Sequence, residues 1–198
     1  MYKNIVFDYG MVLVRFEGLA ISRHFMSEED ARVFAPVFFD RLYWDRLDRG
    51  TIEREEMLDD VLRRLPGFSR ETAGRVFDGW FEVLPPIDGM PELVAALRKK
   101  GCRLYIISDI AKNFAENAHR LPIIRDFDGR VMSGPIGITK PNPAIFRHLL
   151  DTYHLDPADC IFIDDRIPNV KGAESVGMHG YHFDGDAHKL AAFLGVEI

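Results

Sequence analysis

Four short runs of β-branched and aromatic residues, each followed by a polar residue, constrain this chain more than any other feature. They are Ile5-Val6-Phe7, Leu104-Tyr105-Ile106-Ile107, Ile161-Phe162-Ile163 and Tyr181-His182-Phe183. Continuous apolar runs of this length read as parallel strands buried on both faces, because helices cover both sides of such a sheet. Helical patterns separate them. Leu93, Val94 and Leu97 make a stripe that stops at Gly101; Ile145, Phe146, Leu149, Leu150 and Tyr153 make another after Pro143, a residue suited to a first helical position. The alternation predicts a doubly wound parallel α/β sheet with a Rossmann-like core.

Between about Phe16 and Leu84 the alternation breaks. Ser27-Glu28-Glu29-Asp30 has the form of a helix start, a capping hydroxyl followed by acids that the helix dipole favours. Met57, Leu58, Val61, Leu62 and Leu65 form one helical stripe, and Val76, Phe77, Trp80, Phe81 and Leu84 another. With no strand pattern here, residues 16–85 are expected to form an inserted all-helical domain ending at Pro85-Pro86, with residues 1–15 and 86–198 as the core domain. The aromatic and methionine stripes read as packing faces. Trp44, Asp45, Arg46, Asp48 and Arg49 read as a polar-aromatic segment between two of these helices, a lid surface for a small polar group.

A chain of 198 residues can bury a full core without disulfides, and 47% hydrophobic with 28% charged residues is globular composition. A net charge of −6 offers no basic field to a nucleic-acid backbone or an anionic membrane, so neither partner is expected. Cys102 and Cys160 lack the close pairing of a structural zinc site and read as buried thiols in a reducing cytosol. The first apolar stretch, ended by Asp8, is too short for a signal peptide, and no window approaches the ~20 apolar residues of a membrane span. A cytoplasmic monomer or small homo-oligomer is the expectation.

Ligands of open parallel sheets bind beyond the carboxyl ends of the strands, so the residues there matter most. They are Asp8-Tyr9-Gly10, Ser108-Asp109, and Asp164-Asp165 with Asn169 four residues later; Gly137-Ile138-Thr139-Lys140-Pro141 stands just before a helix. Several carboxylates on one rim repel one another and need protons or a hard cation. With oxygen donors alone, Mg²⁺ is the fitting ion. Lys140 offers a point charge and Ser108 a hydroxyl to anionic oxygens. Together these describe a phosphoryl-transfer site in which Asp8 can form an aspartyl-phosphate.

The set Ile5-Val6-Phe7-Asp8, Ile106-Ile107-Ser108, Lys140-Pro141-Asn142-Pro143 and Ile161–Asp165 resembles the four ordered motifs of the haloacid dehalogenase superfamily, and the helical insertion sits where that family places its first-type cap. Phe7–Val14 and Asp48-Arg49-Gly50-Thr51-Ile52 resemble the bacterial glucose-1-phosphate phosphatase group. The resemblance implies that Asp8 is nucleophile and metal ligand, that the Gly10 carbonyl and Asp165 also meet the metal, and that Asp164 and Asn169 support them. It further implies that Ser108, Asp109 and Lys140 hold the phosphate of a small phosphorylated metabolite, a hexose 1-phosphate being the first candidate.

Two residues depart from the pattern. Most phosphatases of the superfamily carry a general-acid Asp two positions after the nucleophile, where this chain has Gly10; Asp109 stands where close relatives tend to have Asn. General acid catalysis is typically worth ~10²–10⁴-fold. One expectation is therefore that Asp109 has a raised pKa and supplies the proton, in which case Asp109→Asn lowers turnover. A metal-independent 2-haloacid dehalogenase needs no acid and so fits Gly10, but the Asp164-Asp165 pair argues for a cation and against it. A non-catalytic binding protein would not need Asp8, Ser108, Lys140 and Asp165 together. A receiver domain has a different motif order and no cap.

Overall fold

The computed structural model describes residues 2–125 and 127–198. Five strands form one parallel sheet: β1 (Asn4–Phe7), β2 (Arg103–Ser108), β3 (Gly129–Met132), β4 (Cys160–Asp164) and β5 (His179–His182), in the order β3-β2-β1-β4-β5. Alternate residues of the strands feed two separate cores, as a period of two requires. Ile5, Phe7, Leu104, Ile106, Ile161 and Ile163 face one side; Val6, Tyr105, Ile107 and Phe162 face the other. The chain is thus an α/β protein with helices on both faces of a parallel sheet, a Rossmann-like arrangement.

Five helices, α1 (Gly18–Ser22), α2 (Glu28–Phe38), α3 (Arg41–Asp48), α4 (Arg54–Arg64) and α5 (Arg70–Gly79), lie between β1 and β2 with no strand among them. Their own core joins Phe34, Phe38, Tyr43, Leu47, Met57, Leu58, Val61, Val76 and Phe77, so the stripes are packing faces. Ser27 caps α2, its hydroxyl accepting the Asp30 N–H at 3.1 Å. The remaining helices cover the sheet: α6 (Met90–Lys99), α7 (Lys112–Asn117), α8 (Pro122–Arg125), α9 (Ser133–Ile136), α10 (Pro143–Tyr153), α11 (Ile167–Glu174) and α12 (Ala187–Leu194). Among the described residues no helix is long and apolar enough to cross a membrane.

Three expectations need correction. The Trp44–Arg49 segment is not a connector: Trp44 through Asp48 belong to α3, which buries Tyr43 and Leu47 and is capped by Asp40. The fourth apolar run is not a buried strand. β5 is an edge strand whose residues are half-buried or exposed, and the buried Phe183 follows it. Cys160 is buried as expected, but Cys102 is only half-buried.

Candidate active site

β1 and β4 are neighbours, and the pairing of Phe7 with Ile163 brings the next residues, Asp8 and Asp164, to one level of the carboxyl rim. The Asp8 N–H donates to Ile163 O at 2.9 Å, extending the ladder by one step. The Asp8 Oδ1 accepts the Tyr9 N–H at 2.6 Å and lies 2.8 Å from Lys140 Nζ. The same Nζ donates to Asp164 Oδ2 at 2.9 Å. The side chains of Lys140 and Asp164 are 2% and 0% exposed, so solvent screens this contact little. Burial works against the Lys140 charge, yet Asp8, Asp164 and Asp109 outweigh it and hold the ammonium well above the usual lysine range.

Asp164 is held from every side. Its Oδ1 accepts the Arg166 N–H at 2.8 Å, and Asn169 Nδ2 lies 3.0 Å from both of its oxygens. Asp165 differs. It is half-buried and lines the cavity; the His182 ring meets its backbone carbonyl at 3.0 Å, but among the described residues no side chain bonds its carboxylate, and burial first and the Asp164 charge second raise its pKa. Oxygens of Asp8, Asp164 and Asp165 lie within 4.8 Å of one another. Burial, with Asp164 adding to it and Lys140 opposing, pushes the Asp8 carboxyl up to about 7. Three carboxylates around one ammonium carry excess negative charge, and an all-oxygen donor set suits a hard divalent cation. The residues present fit Mg²⁺, with Asp165 retaining the freest oxygens.

Ser108 ends β2 and is buried; Asp109 follows, and its Oδ1 accepts the Lys140 backbone N–H at 2.9 Å. Burial raises the Asp109 pKa and Lys140 opposes the rise. Asp8, Gly10, Ser108, Asp109, Lys140, Asp165 and Asn169 all line one cavity of about 630 Å³, and Asp164 stands behind them. A Cβ built on Gly10 would meet nothing within 4 Å, so the place of the missing acid is open space. Phe16, Phe39, Trp44 and Trp80 form an aromatic wall above the acids, and Arg41, Asp45 and Asp48 of α3, with Arg49 just after it, add a polar edge. Arg15 pairs with Asp88 at 3.8 Å rather than lining the cavity.

Asp48 is the cavity residue that sequence reasoning left without a role of its own. Burial, with Asp109 and Asp45 next in effect, pushes its carboxyl up to about 8. The sequence placed it only among the Trp44–Arg49 lid residues and in the Asp48–Ile52 resemblance. Arg166 was also missed, since nothing in its local pattern marks it as facing the same cavity.

Residues 3–177 match the family of haloacid dehalogenase-like hydrolases. A sesquiterpene phosphatase of Aspergillus oryzae is 26% identical over 187 residues, covering 91% of this chain and 89% of its own length. A glyceraldehyde 3-phosphate phosphatase of Pyrococcus abyssi is 29% identical over 193 residues, covering 90% and 79%. A wild-type HAD family enzyme of Bacteroides thetaiotaomicron, solved in complex with magnesium and inorganic phosphate, shares the fold with a TM-score of 0.73 at 20% identity, over 96% of this chain and 99% of that one. With its strand order, its rim of acids and a family match over most of its length, the chain belongs to the haloacid dehalogenase-like hydrolases.

Proposed function

We propose that the chain is a Mg²⁺-dependent phosphomonoesterase that transfers the phosphoryl group of a small metabolite to Asp8 and then to water. The observation that carries this reading is the buried Asp8–Lys140–Asp164 contact at 2.8 and 2.9 Å beneath an accessible cavity. Lys140 holds Asp8 in place and offers positive charge where a phosphate would lie. Ser108 supplies a hydroxyl to a phosphate oxygen. Asp109 fixes the backbone at Lys140 and lines the phosphate end of the cavity. Asp164 and Asn169 support the lysine, while Asp8, Asp165 and the Gly10 carbonyl are the proposed metal contacts. Mg²⁺ would neutralise charge on the nucleophile and the transferring group.

Residues 16–85 are read as a first-type cap over a core of residues 1–15 and 86–198. Closure of such a cap excludes water during transfer and admits it for the second step. The aromatic wall can stack against the apolar face of a ring. The Trp80 indole N–H, in the same wall, is buried and has no hydrogen-bond partner among the described residues. These features support a small polar leaving group, a hexose 1-phosphate first, and the subgroup of bacterial glucose-1-phosphate phosphatases. The same reading takes the protein as a cytoplasmic monomer or small homo-oligomer with no nucleic-acid or membrane partner.

The test is phosphate release from sugar phosphates, nucleotides and p-nitrophenyl phosphate, with Mg²⁺ or EDTA and with Asp8→Asn as control. Metal-dependent release lost in the variant is the expected result. Silence on every ester, with chloride release from 2-chloropropionate, would replace this reading with the dehalogenase.

A further inference from the structure

Building on the reading of Asp8 as phosphoryl acceptor, we infer that Asp48, carried by α3 and pinned to the core through Ser133, gives the leaving group its proton. Position 10 has no side chain that can move one, and the space there is open. Asp48 lines the cavity from the helical segment, whereas Asp8, Ser108 and Asp109 line it from the strand ends and Lys140 from the loop before α10. A substrate whose phosphate lies among the sheet residues therefore directs its other half toward α3.

The end of α3 is fixed in place by more than packing. Ser133 is fully buried; its Oγ donates to the Asp48 carbonyl at 2.6 Å and accepts the Ile110 N–H at 2.8 Å. One hydroxyl thus ties Asp48 to the segment that follows β2. Gly50, at a φ of +64°, lies so close to Gly134 that a Cβ would stand 2.6 Å from the Gly134 carbonyl oxygen. Lys112 Nζ and Glu53 Oε1 add an ion pair at 2.7 Å across the same junction.

The surroundings keep the Asp48 carboxyl protonated at neutral pH. Burial is the largest cause, Asp109, Asp45 and Asp8 reinforce it, and Lys140 opposes it; Arg41, Arg49 and Arg166 also line the cavity. Asp109 is the other acid in reach: burial raises its pKa as well, but Lys140 opposes that rise. The Lys140 backbone N–H donates to Asp109 and the Lys140 ammonium favours its charge, and whatever charge Asp109 carries favours the proton on Asp48. The roles are then separated as paired carboxyls with divergent environments allow.

In the first step an Asp8 carboxylate oxygen bonds to phosphorus, the bond from phosphorus to the leaving oxygen breaks, and the Asp48 proton passes to that oxygen. In the second, water adds to phosphorus, its proton returns to the Asp48 carboxylate, and the bond to Asp8 breaks. Phosphate leaves and both residues regain their starting states.

The experiment measures kcat/KM with Mg²⁺ for phenyl phosphates of graded leaving-group acidity and for glucose 1-phosphate, in the unmodified protein, Asp48→Asn and Asp48→Glu. The loss in Asp48→Asn is expected to be slight for p-nitrophenyl phosphate and to grow to roughly 10²–10⁴-fold for unsubstituted phenyl phosphate. Asp48→Glu should recover part of it. An equal loss across the series, or none, overturns the assignment. If Asp48→Asn lacks a native circular-dichroism spectrum, Asp48→Glu decides: a changed leaving-group dependence with a shifted alkaline limb of the pH profile supports the assignment, and an unchanged profile overturns it. Silence of the unmodified protein on every ester would instead overturn the phosphatase reading, and this role with it.

Discussion

Replacing Asp8 with Asn should stabilise the metal-free protein while abolishing its chemistry. Burial and the Asp164 charge raise the Asp8 carboxyl from its ordinary 3.8 to about 7. A carboxyl with a higher proton affinity folded than unfolded makes stability fall as pH rises, because the native state holds the proton longer. The penalty is absent below about pH 4, grows between 4 and 7, and is complete above 7. At 1.36 kcal/mol for each tenfold change in proton affinity it reaches about 4 kcal/mol, with the opposing pull of Lys140 already counted. Urea unfolding in EDTA from pH 4 to 8 would measure it. The variant should match the original at the acid end and gain stability as pH rises. Millimolar Mg²⁺ should close the gap by stabilising the native carboxylates. A variant less stable at pH 8, or a difference independent of pH, would refute the reasoning.

The same cluster predicts the opposite result at Lys140. Lys140→Met leaves the buried Asp8 and Asp164 carboxyls without their ammonium and should cost about 3–5 kcal/mol in urea unfolding at pH 8, with part of the loss recovered as pH falls and Asp8 takes up its proton. Gly10→Asp should fold normally, because a Cβ there meets nothing within 4 Å. In an Asp48→Asn background it should restore phosphate release from phenyl phosphate by up to roughly 10²-fold; no gain would count against open access at position 10. Gly134→Ala puts a Cβ 2.7 Å from the Ile110 carbonyl oxygen and the Lys112 nitrogen, both backbone atoms. It should cost about 1–3 kcal/mol, about 2–4 °C of Tm for each kcal/mol, by thermal melt.

The legible parts of this chain were those written in local pattern. β1, β2 and β4 are apolar on consecutive residues because both faces are covered, and each leads directly to a polar rim residue. β3 was not legible: Gly129–Met132 offers only Val131 and Met132 as buried residues, too few to signal a strand. α3 was missed because its apolar face is narrow, with only Tyr43 and Leu47 buried. The candidate site divided in the same way. Asp8, Ser108, Asp109, Lys140 and Asp165 stand at strand ends or before a helix, where topology alone brings them together. Asp48 arrives from a separate helical segment, and its position depends on the tertiary hydrogen bond to Ser133, which no spacing encodes.

The helical segment leaves the core and rejoins it at one place. Val14 and Pro86 form an antiparallel bridge, with the Arg15 N–H donating to Pro85 O at 2.8 Å and the Ile87 N–H to Leu13 O at 3.1 Å. Asn4 of β1 must meet Arg103 of β2 across 99 positions of chain, a slow encounter for an open loop. A segment that folds first around Phe34, Phe38 and Phe77 brings its own ends together and leaves about 30 residues of free loop. By the logarithmic cost of loop closure this saves about 1 kcal/mol, or roughly a sixfold gain in how often the central strands meet. The insertion then serves the sheet during folding, as a clasp that makes distant strands near neighbours.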